Sequence, residues 1–195
     1  MNRTWNFEKG AWQAEDFLSA ASSRVEYRLT FGQKDDCIHN EGADKMDEYA
    51  YVSMVHRTPV SLPCLLETEC SFRTYGAPLL ILADAVDTLP DGRLQYGHHI
   101  EVVGWEKGIN VWDLTPDPEA PNGQRTVNLG RFSFPIEDGA RFLLTARANR
   151  HGLVVGAEVN GRSAQFDCPC VLPEKCYVGI TACEGENYFY RFSIR

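Results

Sequence analysis

The sequence predicts an all-β fold in which two antiparallel sheets pack as a sandwich. Short segments of alternating apolar and polar residues recur along the chain and are separated by turn signals. Only residues 12–22 resemble a helix, and they suffice for one or two short turns. A chain of 195 residues is a common size for one β-sandwich, so we expect a single domain over residues 1–195.

The predicted strands follow one another along the chain and are separated by turn signals. The strand at 24–31 places Val25, Tyr27, Leu29 and Phe31 on one side, and Asn160-Gly161 is a typical hairpin turn. We predict a long polar loop at 32–48 and an irregular loop at 115–123, where three prolines disfavour regular structure. The complete set of predicted strands is 24–31, 49–57, 62–72, 79–83, the hairpin 98–114, 126–134, 140–149, 154–159, 162–166, 176–182 and 188–194.

The hairpin at 98–114 carries the clearest functional pattern. A two-residue turn at Lys107-Gly108 would pair Trp105 with Asn110 and Val103 with Trp112. One face then collects His99, Glu101, Trp105, Asn110 and Trp112, while apolar side chains occupy the other. A three-residue turn at 106–108 is the alternative, and it would move Asn110 and Trp112 to the opposite face.

A polar and aromatic sheet face is typical of a sugar-binding surface. Indole rings stack on the C–H faces of a sugar, and carboxylate, imidazole and amide groups bond its hydroxyls. Tryptophan is also a good strand former, so packing alone is a second interpretation of Trp105 and Trp112.

The closing strands resemble those of the concanavalin A-like lectin and glucanase superfamily, in its laminin-G-like and bacterial sugar-utilisation branches. The matching segments are Phe142-Leu-Leu-Thr-Ala-Arg-Ala148, Val159-Asn-Gly161, Tyr177-Val-Gly-Ile-Thr-Ala-Cys-Glu-Gly185 and Tyr190-Arg-Phe-Ser-Ile194. The resemblance implies a jelly-roll sandwich that holds a carbohydrate on its concave sheet. Because this fold serves lectins, hydrolases, lyases and adhesive modules, it implies no single activity.

Three carboxylates are candidates for catalysis. Glu67 and Glu69 share a strand face at a separation that glycoside hydrolysis permits, and Glu101 could complete a pair if its strand lay in the same sheet. The Glu-x-Asp-x-x-Glu strand of the related glucanases and the His-x-Asn-x-x-Arg signature of galectins are both missing. The first candidate function is therefore the recognition of an oligosaccharide. The second is an intracellular glycoside hydrolase or polysaccharide lyase that acts on imported oligosaccharides. The third is a homo-oligomer that uses the aromatic face as an interface.

Composition restricts the partners. A net charge of −8 and a pI near 5.1, without a basic run, argue against nucleic acid, and no segment suits a membrane span. The absence of a signal-like N-terminal segment, together with an odd number of cysteines, leads us to expect a cytoplasmic protein with free thiols. We predict no cofactor and no metal, because the spacing of Cys168, Cys170, Cys176 and Cys183 does not match a zinc knuckle.

Overall fold

The computed structural model describes residues 2–23, 30–40 and 51–195, and strands make up most of these residues. Two single 3₁₀ turns, Ala14–Asp16 and Pro121–Gly123, are the helical elements of the described residues. The strands are β1 Arg3–Asn6, β2 Phe17–Ser19, β3 Gly32–Gln33, β4 Ile38–His39, β5 Val52–His56, β6 Val60–Ser61, β7 Cys64–Arg73, β8 Ala77–Ala83, β9 Val86–Thr88, β10 Leu94–Tyr96, β11 His99–Trp105, β12 Gly108–Pro116, β13 Gln124–Ser133, β14 Phe142–Asn149, β15 Gly152–Val159, β16 Arg162–Pro169, β17 Lys175–Cys183 and β18 Glu186–Ile194.

The strands form two large antiparallel sheets, which confirms the predicted fold class. Sheet A has the order β16-β15-β14-β7-β18-β4-β3, with β1 also paired to β18. Sheet B has the order β13-β12-β11-β8-β17-β5-β2, with β6 also paired to β17. Strands β9 and β10 form a separate hairpin. Among the described residues, no helix is long and apolar enough to cross a membrane.

The main core lies between the two sheets. In sheet A, Leu66 and Cys70 of β7 are fully buried, whereas Glu67 and Glu69 alternate with them toward the outside. In sheet B, Leu82 of β8 belongs to the same core cluster. This alternation sets which side chains of each strand are available for function.

Sheet B has a second apolar cluster on its outer face, the face directed away from sheet A. Leu79, Ile81 and Ala83 of β8 belong to this cluster and are buried, although they alternate with core residues. Tyr96 of β10 is also fully buried in the cluster, and Leu94 and Val86 pack against it. The β9–β10 hairpin therefore covers part of sheet B and leaves another part open.

Both predicted loops, 32–48 and 115–123, contain some regular structure. Residues 32–48 were predicted to form a loop, yet β3 and β4 pair within it; residues 24–29 and 41–50 lie outside the described part of the chain. Within the proline-rich segment, β12 extends to Pro116 at the sheet margin, and Pro121 begins a 3₁₀ turn. Proline is compatible with both places, because neither requires its missing N–H.

Candidate functional site

The β11–β12 hairpin turns at Glu106-Lys107, one residue earlier than predicted. Trp105 pairs with Gly108, Val103 with Asn110 and Glu101 with Trp112, so the predicted two-residue turn at Lys107-Gly108 and the three-residue alternative were both wrong. Gly108 is needed in the strand rather than in the turn, because a Cβ there would lie 2.0 Å from the carbonyl oxygen of Phe132.

The corrected register keeps the predicted face intact. Each pairing changes by two positions, and side chains two residues apart on a strand point the same way. Glu101, Trp105, Asn110 and Trp112 therefore share the outer face of sheet B. They line a cleft of about 410 Å³, here called the main cleft, which Tyr75 and Glu184 border from neighbouring turns.

Glu101 lies at the floor of the main cleft. Its side chain is almost fully buried, at 2 % exposure, and Oε1 accepts a hydrogen bond of 2.9 Å from the Tyr51 hydroxyl group. The same oxygen lies 3.8 Å from Nε2 of His99. A carboxylate held in this way is oriented before any ligand arrives, which reduces the entropy cost of binding.

His99 does not line the cleft, and the prediction of direct ligand contact was wrong for this residue. It shares the strand face of Glu101, but its side chain is completely buried and its ring centroid lies 5.3 Å from that of Tyr96. Its Nδ1 donates a hydrogen bond to the carbonyl oxygen of Gly97 at 2.8 Å. The β9–β10 hairpin, which the sequence did not reveal, covers this end of the face.

The two indoles have different surroundings. Over the ring of Trp105 lie Lys107 and Arg131, each 5.3 Å from its centroid. Among the described residues, no ring or cation stacks on Trp112, which lines the same cleft. Trp112 is thus the better candidate for stacking on a ligand.

Two polar atoms of the cleft residues lack a partner. Nε1 of Trp105 and Oδ1 of Asn110 are buried and have no hydrogen bond within the described part of the chain. An unsatisfied buried polar group costs about 1–3 kcal/mol. A hydroxyl-rich ligand or a water molecule that reached these atoms would remove that cost.

Glu67 and Glu69 lie far from the main cleft in the fold. They project from β7 on the outer face of sheet A, whereas Glu101 belongs to sheet B, so the sandwich core separates them. Glu67 forms an ion pair with Arg195, and Oε1 of Glu69 lies 3.8 Å from Arg141. The condition for a catalytic pair with Glu101, a shared sheet, is not met.

The cleft residues that sequence reasoning missed include the aromatic and charged side chains of Tyr75, Glu106 and Glu184. All three come from turns at one end of sheet B. Tyr75 has a positive φ of 63° and is 61 % exposed. The only signal in the sequence was an aromatic residue directly before Gly76 in the short gap between two predicted strands.

The cysteines are mostly buried. Burial raises the pKa of Cys176 to about 12 and that of Cys170 to about 11, so both are neutral thiols at ordinary pH. Within the described ranges, no group of three or more His, Cys, Asp or Glu side chains is arranged to hold a metal ion.

Comparison with solved structures identifies the fold. The carbohydrate-binding module CBM66 from Bacillus subtilis is similar with a TM-score of 0.60 and 10 % identity, covering 89 % of this chain and 91 % of that one. The lectin UEA-II complexed with galactose gives 0.58 and 9 %, covering 100 % and 97 %. The exoplasmic/lumenal domain of VIP36, in its Ca²⁺/Man3GlcNAc-bound form, gives 0.57 and 12 %, covering 92 % and 82 %.

These neighbours share the concanavalin A-like jelly-roll fold, which confirms the resemblance drawn from the closing strands. No protein-family model matches the chain, and no curated protein is significantly similar to it in sequence. Identities near one residue in ten establish the architecture alone.

Proposed function

We propose that this protein binds carbohydrate, and that an oligosaccharide occupies the main cleft on the outer face of sheet B. The observation that carries the proposal is that an unstacked indole, Trp112, and a buried carboxylate, Glu101, line the same cleft. The similar folds of a carbohydrate-binding module and of lectins support carbohydrate as the ligand class. We assign this face to the concave sheet that the resemblance implies.

The charge of the cleft favours uncharged sugars. Three glutamates, Glu101, Glu106 and Glu184, line it, and no Lys, Arg or His is among its described lining residues. A uronic acid or a sulfated sugar would meet like charges there, which costs binding free energy. Neutral oligosaccharides are therefore the proposed ligands.

Recognition is the better-supported function than hydrolysis. Two of the three predicted catalytic carboxylates, Glu67 and Glu69, face away from the cleft and are paired with arginines. Hydrolysis by a carboxylate pair needs two carboxyl groups that flank the scissile bond, about 5–10 Å apart, and Glu67 and Glu69 lie on the other sheet from Glu101.

The test is a glycan array of neutral and acidic oligosaccharides, followed by calorimetry on the sugars that bind. Trp112→Ala should lower the affinity at least about tenfold, the effect of losing ~1.4 kcal/mol. Tyr188→Ala is the control, because it removes an aromatic ring from the outer face of sheet A. Unchanged affinity in Trp112→Ala would place the site elsewhere, and release of smaller sugars by the unmutated protein would favour the hydrolase.

A further inference from the structure

A second cleft lies beside the main cleft, beyond the end of sheet B. The second cleft, here called the end cleft, has a volume of about 560 Å³, and its lining includes Thr74, Lys107 and Asp138. Tyr75 and Glu106 line both clefts. The two spaces are therefore neighbours that share one wall.

Tyr75 stands at the junction with an exposed ring. It is 61 % exposed, whereas most large apolar and aromatic side chains of the described residues are buried. Both Thr74 and Tyr75 have a positive φ, 53° and 63°, in a backbone region that disfavours side chains with a Cβ. Such conformations cost of order 1 kcal/mol or more each, and they cluster at binding sites.

The surrounding turns hold Tyr75 in place. The backbone N–H of Thr74 donates a hydrogen bond to Oδ1 of Asp138 at 3.2 Å. The β17–β18 turn packs so closely behind that a Cβ on Gly185 would lie 2.0 Å from the carbonyl oxygen of Thr74. The aromatic ring is thus presented on a fixed support, and a ligand would not have to order this backbone.

We propose that Tyr75 forms a second sugar subsite, in which its ring stacks on a later unit of the oligosaccharide that is bound at Trp112. The strand register places Tyr75 six residues from the level of Trp112, about 20 Å along the strand direction, so several units separate the two rings. This inference rests on the proposed function and deepens it. The ligand is a neutral oligosaccharide that runs along the β11–β12 hairpin and leaves the sheet over the β7–β8 turn. Lys107 offers hydrogen-bond donors and Asp138 offers acceptors for the hydroxyl groups of the unit at Tyr75.

The experiment compares chain lengths. Neutral gluco-, manno-, galacto- and fructo-oligosaccharides, each as the monosaccharide and as longer oligomers, are titrated calorimetrically into the unmutated protein and into Tyr75→Asn. Asparagine tolerates a positive φ better than alanine, so this variant removes the ring with little backbone strain. Unfolding temperatures verify that it folds.

For the sugar that binds, the unmutated protein should gain about tenfold in affinity from the monosaccharide to the longer oligomers. Tyr75→Asn should lose this gain and keep the monosaccharide affinity, whereas Tyr75→Phe should retain both. Val171→Asn is the matched control, because Val171 is 83 % exposed and lines neither cleft.

The other outcomes separate the two proposals. Sugar binding with no gain from chain length, or with the same gain in Tyr75→Asn, would overturn the second subsite and leave the main cleft standing. An equal loss for the monosaccharide and the oligomers would assign Tyr75 to the main cleft instead. Failure of the unmutated protein to bind any sugar would overturn the proposed function and the subsite together.

Discussion

The outer faces of the two sheets differ sharply, although their strands alternate in the same way. On sheet A, Glu67 and Glu69 pair with Arg195 and Arg141, whose side chains are both more than half exposed. On sheet B, the equivalent outward positions of β8 and β11 are buried under a hairpin or line a cleft. The alternation of apolar and polar residues therefore shows which side chains point away from the central core. Whether those side chains contact water, a second apolar cluster or a ligand depends on the segments that cover the sheet.

The difference between the two outer faces should appear in the free energy of unfolding when a side chain on each face is truncated. Ile81 of β8 is fully buried on the outer face of sheet B, and Leu143 of β14 is half-buried on the outer face of sheet A. Ile81→Ala should lower the free energy of unfolding by about 2–5 kcal/mol, because it leaves a cavity. Leu143→Ala should cost less than half as much.

Urea unfolding of both variants measures the effect. A small loss for Ile81→Ala, comparable with that for Leu143→Ala, would mean that the β9–β10 hairpin does not protect this face in solution. Leu82→Ala, on the opposite side of the same strand, provides the reference for a central core position.

Replacing a carboxylate should weaken sugar binding on the outer face of sheet B but not on the outer face of sheet A. Glu101→Gln removes the charge from the floor of the main cleft and keeps the size of the side chain. Hydrogen bonds to charged groups contribute about 1.5–3 kcal/mol, so the affinity for a neutral sugar should fall roughly tenfold to a hundredfold. Glu69→Gln makes the same change on sheet A and should leave the affinity unchanged when both are measured by calorimetry.

If both variants bound sugar like the unmutated protein, the polar contribution of Glu101 would be excluded. An equal loss in both would point to an effect of total charge rather than of a site. The unfolding free energy of each variant must be measured alongside, since Glu101 also accepts the hydrogen bond of Tyr51.

The sequence revealed the sandwich and the composition of the hairpin face because both depend on local alternation. The strand pattern around Leu66 and Leu82, and the Asn160-Gly161 turn, need no distant partner to be recognised. Glu101 and Trp112 share a face as predicted, although the predicted turn was wrong. The predicted strand pairing was wrong by two residues, and two residues are one full period of a β-strand.

What the sequence could not show depends on contacts between distant segments. The burial of His99 requires Tyr96 from the β9–β10 hairpin, and the separation of Glu67 from Glu101 requires the assignment of β7 and β11 to different sheets. The position of Tyr75 beside the cleft follows from the meeting of three turns. None of these relations has a periodic signature in the sequence.

Tyr96, which covers the outer face of sheet B, and Tyr188, on the outer face of sheet A, should ionise differently in alkaline solution. Burial raises the pKa of Tyr96 far above its usual value, with Glu101 adding to the effect against a hydrogen bond from Ser53. Burial and the hydrogen bond to Glu186 raise the pKa of Tyr188 to about 12. Tyr188 should therefore ionise in the folded protein, while Tyr96 should ionise only when the protein unfolds.

The sign of the pH dependence follows from these directions. Above a pH of about 10 an unfolded chain loses its tyrosine protons while the folded protein keeps them, so stability is complete below that pH and falls as the pH rises. Tyr96→Phe should flatten the fall more than Tyr188→Phe. Ultraviolet titration of the phenolate with parallel circular dichroism checks this, and early ionisation of Tyr96 would show that the outer cluster is open.

The smallest effect is expected for the ion pairs of sheet A. Glu67 and Arg195 form a pair in which the arginine side chain is largely exposed, and Ser193 donates a further hydrogen bond of 3.3 Å to Glu67. The Glu67 side chain is 13 % exposed, but water and salt reach the arginine, so we expect the pair to contribute about 0–1 kcal/mol, as exposed pairs do. A double-mutant cycle with Glu67→Gln and Arg195→Gln should give a coupling within that range that shrinks at high salt, with sugar affinity unchanged throughout. A coupling several times larger would mean that this ion pair is a structural element of sheet A rather than a surface contact. A loss of sugar binding would mean that the outer face of sheet A contributes to the binding site, and the contrast between the two faces would no longer hold.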